Sequence, residues 1–168
     1  MRALLLAALV LIAGCAAAPI GDGGVPTPTG PCEVDSQPTP NPSPDVEPVT
    51  YPDPPASVSS QAIRAYVTNF EERYLHNHEL AQKGNVTYLE TYVEDISVAR
   101  HGAVYVVRLD SYTNGGTLEH EGEGTPIEIH WDGASQPVTY LVTEDRLLRG
   151  EGDLSTDELS DVPTVACL

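Results

Sequence analysis

An α+β fold is expected for this chain, with one long N-terminal helix packed on an antiparallel sheet of four or five strands. Three observations predict it. Apolar residues recur at helical spacing from about Ser59 to Gln82. After Gly84 the period changes to alternation, in runs rich in β-branched residues and tyrosine. Short polar or glycine-bearing breaks then separate those runs at hairpin spacing. A single helix followed by strands points to a helix layer lying on one face of a sheet.

The helix is expected to start at Ser57-Val58-Ser59-Ser60, where several hydroxyls are available to cap free backbone N–H groups. Ala62, Ile63, Tyr66, Val67, Phe70, Tyr74 and Ala81 form its apolar stripe, and Arg64, Asn69, Glu71, Glu72 and Arg73 fill the polar side. Lys83 suits the negative end of the helix dipole, and Gly84 suits a left-handed C-terminal cap. Tyr66, Phe70 and Tyr74 fall at i, i+4, i+8. Core packing against the sheet is the favoured reading of these rings, and lining of a ligand groove is the alternative.

The strands follow in order. Val86 to Ala99 is the first, with a bulge expected at Tyr92-Val93, where strict alternation breaks. Arg100-His101-Gly102 makes a tight turn. Ala103 to Thr113 is the second strand, closed by Asn114-Gly115 as a turn signal. Thr117 to Thr125, with its glutamates and glycines, is expected to be a loop or frayed edge. Ile127 to Trp131, Val138 to Thr143 and a short Arg146 to Arg149 complete the set. Over residues 57–150 this order resembles the cystatin-like arrangement, in which a curved antiparallel sheet wraps one N-terminal helix. The Gln-x-Val-x-Gly inhibitor loop of cystatins is absent, so the resemblance implies a fold and no inhibitory activity.

Four segments are expected. Residues 1–14 have the form of a signal peptide: Met1-Arg2, then an apolar run from Ala3 to Ala13. That run falls well short of the roughly 20 residues needed to span a bilayer. It closes on Leu11-Ile12-Ala13-Gly14-Cys15, which resembles the lipobox of lipoprotein signal peptides. The resemblance implies cleavage before Cys15, lipidation of its sulfur and display on the extracellular face of the cell membrane. The alternative is a plain signal peptide with Cys15 incidental. Arg2 stands alone where many haloarchaeal lipoproteins carry twin arginines. Residues 15–56 comprise the anchor cysteine and a tether holding twelve of the fifteen prolines, with no apolar periodicity. Such a segment is expected to be disordered and extended. Its first sixteen residues, Ala16 to Pro31, would reach on the order of 50 Å as polyproline II. Residues 57–150 form the α+β domain. Residues 151–168 are read as an acidic tail ending in Cys167.

The charge narrows the partners. With 25 acids against 8 bases, the formal net charge is −17. Such a surface repels polyanions, so nucleic acid is not expected. Lys83 is the only lysine. Acid-rich, lysine-poor composition resembles the surfaces of halophilic archaeal proteins. In molar salt the Debye length falls to about 3 Å, and self-repulsion is screened. An ordinary acidic secreted protein is the other reading.

If Cys15 carries a lipid, Cys32 and Cys167 remain as a pair, and outside the cell they are expected to be oxidised. An intramolecular disulfide is favoured over two free thiols or an intermolecular bond. Of the histidines, His76 and His78 are two apart on a helix and point in different directions, so they cannot share a metal. His120, among Glu119, Glu121 and Glu123, is read as an exposed acidic loop rather than a cation site. Asp153-x-Ser155-x-Asp157 opens like a calcium loop, but Glu158 and Thr164 stand where glycine and glutamate are required. Asn85-Val86-Thr87 is an N-glycosylation sequon. Nucleophile-elbow, zincin and phosphate-loop motifs are absent, so no catalytic residue, cofactor or metal is expected. Three function classes follow in order: a module binding a small molecule or protein in the sheet–helix groove, a structural envelope component, and an enzyme with an unrecognised site.

Overall fold

The computed structural model describes Val25, residues 27–120 and residues 124–168. Cys15 and the expected signal peptide lie outside these residues, as do Glu121 and Glu123. The fold is α+β, with one helix and a six-stranded antiparallel sheet. The elements are α1 (Ser60–Gln82), β1 (Val86–His101), β2 (Val104–Glu119), β3 (Ile127–Asp132), β4 (Gln136–Val142), β5 (Arg146–Glu151), a 3-10 turn (Glu158–Asp161) and β6 (Thr164–Cys167). The strand count therefore exceeds the expected four or five, and an extended segment precedes the helix.

Ser59 caps α1, its hydroxyl accepting from the Ala62 N–H at 3.2 Å. At the other end Lys83 is extended, and the left-handed residue is Asn85 (φ 53°) instead of Gly84. Asparagine tolerates this region because its short polar side chain serves the local backbone. The sequon residue thus sits, exposed, at the corner where the helix turns into β1.

The frame of the sheet is the long β1–β2 hairpin, closed at Gly102 (φ 62°). Its other edge is shared. The first half of β2 pairs with β4, from Tyr105↔Val142 to Ser111↔Gln136, and the second half pairs with β3, from Asn114↔Asp132 to Glu119↔Ile127. Between these ladders Gly133, Ala134 and Ser135 face only Tyr112 and Thr113, so one residue bulges out, pinned by Gly133 N–H to Thr113 O at 2.7 Å. From β4 the sheet continues through β5 to β6.

Asn114-Gly115 is not a turn, since β2 runs straight through it and on through Thr117–Glu119. Trp131 of β3 lies across Gly115, leaving no room for a Cβ. The glycine is there for a cross-strand indole and not for a turn. Gly115→Ala is expected to cost about 1–3 kcal/mol through overpacking. Because Trp131 is the only tryptophan, urea unfolding followed by its fluorescence checks this. An unchanged midpoint would mean the indole does not lie there. The expected bulge at Tyr92-Val93 is also displaced. Both residues pair regularly, with Tyr112 and Ser111, and Tyr92 stacks on Tyr112 at 4.8 Å on the outer face. The irregularities fall at Val86/Tyr88 and Glu94/Ser97, where Asp95 takes φ 49°.

The main core lies between α1 and the sheet. Ile63, Tyr66, Val67 and Phe70 meet Tyr105, Val107, Leu109, Val138, Tyr140, Val142, Leu147 and Val165. A second, smaller core covers the opposite face at one end, where Val104, Val106, Leu141 and Leu148 pack with Leu159, Leu154, Val162 and Val25. The expected acidic tail is therefore part of the domain. Its acids face solvent, while Leu154, Leu159 and Val162 cover the sheet and Val165 enters the main core as part of β6.

The proline-rich segment is extended, as its composition dictates, yet it is held to the domain, by Val25 in the second core and, from Cys32 onward, as a strap. Cys32 is disulfide-bonded to Cys167. Asp35 N–H donates to Thr164 O at 2.8 Å, and Thr164 N–H donates to Asp35 Oδ2 at 3.0 Å. The chain then runs antiparallel to α1. Asn41 N–H meets Leu80 O, and the buried Asn77 amide clamps both backbone groups of Val49 at 3.0 and 2.9 Å. Arg73 Nε donates to Thr50 O, and Tyr51 stacks on Phe70 at 5.0 Å. These partners lie on the helix and β6, so nothing in the segment's own pattern marks them.

Candidate functional site

A cleft opens where the second half of α1 passes the β3–β4 bulge. It encloses about 450 Å³, within the usual range for small-molecule sites. Tyr74, His78 and Glu79 form one wall, Ser111, Thr113 and the Gly133–Gln136 bulge another, and Arg149 with Glu151 the end.

Beneath the cleft lies a buried ion pair. Glu71, on α1, has 0 % of its side chain exposed, and Arg149, on β5, has 7 %. Arg149 donates from Nε to Glu71 Oε2 and from Nη2 to Oε1, both at 2.9 Å. The Ser111 hydroxyl donates to Oε1 at 2.8 Å and the Tyr140 hydroxyl to Oε2 at 2.5 Å. Four hydrogen bonds therefore satisfy this carboxylate. Burial pushes the Glu71 carboxyl up, but the hydrogen bonds and charge of Arg149, with the Tyr140 and Ser111 hydroxyls, outweigh it and hold it below its ordinary value. Burial pulls Arg149 down, and the Glu71 contact more than offsets that. Burial, followed by the Glu71 charge, raises the Tyr140 hydroxyl well above its usual range. The guanidinium also lies over the Tyr74 ring, 4.2 Å from its centroid. Arg149 is thus fixed on two sides.

The other polar groups of the cleft are partly engaged. Glu79 accepts from the Thr113 hydroxyl at 3.2 Å and lies 3.1 Å from Lys83 Nζ. His78 stacks against Tyr74, and its Nε2 is 2.5 Å from Gln82 Nε2. Among the described residues no group of three or more His, Cys, Asp or Glu side chains is gathered to hold a metal.

The expected groove residues divide. Tyr66 and Phe70 are buried in the core, where Phe70 packs edge-on against Tyr140, and burial raises the Tyr66 hydroxyl to about 12. Of the three rings only Tyr74 lines the cleft. Asn85 lines a shallower depression with Lys83, Leu118 and Trp131. Glu71, placed on the polar side from sequence, is the buried centre of the network. The signal was present: Glu71 lies four residues after Val67 and three before Tyr74, within the apolar stripe. On β5, Arg149 falls on the same face as Leu147, which is a core position. A charged residue at a core position in each element marks a pair.

No protein-family model, curated protein or solved structure matches the chain.

Proposed function

We propose that the chain is a binding module displayed on the outer face of a membrane, anchored through a lipid on Cys15, with the cleft as its ligand site. The cleft carries this reading. Its one buried guanidinium is held in place before any ligand arrives, so binding would require little reordering. The imidazole of His78 and the carboxylate of Glu79 also reach the cleft, but each is engaged by a helix neighbour or Thr113, which supports binding over acid–base chemistry. The anchor reading rests on the lipobox-like run and on cysteine use. The Cys32–Cys167 bond leaves Cys15 as the one cysteine without a partner in the chain. An oxidised pair suits an extracellular location. The acidic, lysine-poor surface suits concentrated salt.

Packing shortens the tether. Val25 belongs to the second core, and Gly30 O accepts from Arg146 at 2.7 Å. Only residues 16–24 separate the anchor from the domain, a reach of at most about 30 Å instead of about 50 Å. Such a module would work close to the membrane surface.

Two measurements test the proposal. In a haloarchaeal host, wild type is expected in the membrane fraction and Cys15→Ser in the soluble one; equal membrane association of both would reject the anchor. With the mature Cys15→Ser chain, a panel of small anionic, cationic and neutral organic solutes is expected to yield saturable NMR shifts at Thr113, Gly133 and Gln136. A panel that shifts none of these amides would reject the cleft as a binding site.

A further inference from the structure

We propose that the ligand of this cleft carries a carboxylate, received by the outward edge of the Arg149 guanidinium. The inference rests on the reading of the cleft as a binding site and names the class of its ligand. A guanidinium has two edges able to grip a carboxylate with parallel hydrogen bonds: Nε with Nη2, and Nη1 with Nη2. Glu71 fills the first edge, at 2.9 Å on both atoms. The second edge has no hydrogen-bond acceptor among the described residues. Its nearest charge is Glu151, whose Oε1 is 3.7 Å from Nη1, beyond hydrogen-bonding distance. The Arg149 side chain lines the cleft and keeps 7 % of its surface exposed.

The guanidinium plane is set before binding, by Glu71 on one edge and by the Tyr74 ring below it. A donor pair held in this way favours a planar, two-oxygen anion. Glu71 neutralises the arginine only from behind. The remaining question is Glu151, which would repel an entering carboxylate. Its side chain is 85 % exposed and its ion pair with Nη1 is long, at 3.7 Å, so it can yield to an entering carboxylate by swinging into solvent. Glu151 therefore weakens binding without blocking it. A cationic ligand would gain Glu151 but face the fixed guanidinium. The apolar surfaces of Leu75 and Pro137 give the body of an organic acid something to rest on.

Benzoate, benzylamine and benzyl alcohol share a ring and differ in charge, so they separate the possibilities. The mature chain carrying Cys15→Ser is titrated with each at constant sodium chloride, following cleft amides and the Arg149 Nε–H by NMR. Benzoate is expected to shift both sets saturably and to bind roughly tenfold tighter than the other two, as charge-assisted hydrogen bonds would require. Glu151→Gln is expected to tighten benzoate about two- to fivefold, the scale of one exposed charge pair, and to leave benzyl alcohol unchanged. Benzylamine or benzyl alcohol binding in the cleft as tightly as benzoate would overturn the carboxylate assignment and leave the cleft a binding site. Benzoate binding indifferent to Glu151→Gln would overturn the assignment to the outward edge. Silence from all three probes at the cleft would overturn both readings.

Discussion

Glu71→Gln is expected to lower the unfolding free energy by about 3–5 kcal/mol, because it leaves Arg149 buried without its counter-charge. The loss should appear in the midpoint of urea unfolding. Arg149→Met exposes the opposite problem, a buried carboxylate with only two hydroxyl donors left, and should cost a similar amount. The double variant Glu71→Met, Arg149→Met should cost less than the sum by about 2 kcal/mol or more, since neither charge then remains. Some cost should persist, because Ser111 and Tyr140 lose their common acceptor, at about 1–3 kcal/mol for each buried hydroxyl left unpaired. Strict additivity would mean that the two residues do not act as a pair.

The same carboxylate governs behaviour in acid. Its pKa in the folded protein lies below the ordinary value of 4.5. The stability that it contributes is therefore complete above pH 4.5 and is lost as the pH falls through the lower folded value. Asp145 adds a second loss between 3.8 and about 2, because hydrogen bonds from Arg146, then from Thr143, hold its carboxyl down. Glu71→Gln should remove the first of these acid-sensitive contributions and leave the second. Wild-type and Glu71→Gln stabilities converging as the pH falls below 4.5 is the expected pattern.

The second large effect is that of the disulfide. Cys32→Ser with Cys167→Ser is expected to cost about 2–5 kcal/mol, since the bond joins residues 135 apart and constrains the unfolded chain strongly. The loss should be local in its first signs. Amides of Asp35 and Thr164, which hold the strap to β6, should lose hydrogen-exchange protection. The Asn77–Val49 clamp should keep its protection, because its contacts are to the helix and not to β6. Equal loss at both places would mean that the strap docks as one unit.

The elements that follow from periodicity were legible in the sequence. The α1 stripe, the first hairpin and the alternation of β3 all show on one line of text, and the Cys32–Cys167 pair emerged once Cys15 was set aside. The rest depended on partners distant in the chain. Gly115 looks like a turn until Trp131 is seen to cross it. Leu154, Leu159 and Val162 are too few among acids to signal a packed segment, yet each meets an apolar sheet face that supplies the missing half of the pattern. The strap is held mainly by single side chains and carbonyls on other elements. The cleft was half legible. Tyr74 stands out in the aromatic stripe, but so do Tyr66 and Phe70, whose positions on the helix turn them into the core. Glu71 and Arg149 read as surface residues in the sequence, because charge ordinarily marks solvent exposure. A buried pair reads as two surface residues unless each is noticed at an apolar position.

If Arg149 is locked under the cleft and ready for a ligand, side-chain hydrogen exchange of the arginine Nε–H groups should report it. The Arg149 Nε–H is expected to exchange far more slowly than those of Arg64 and Arg73, and benzoate is expected to move its resonance. An Arg149 Nε–H exchanging as fast as theirs, and unmoved by benzoate, would contradict it.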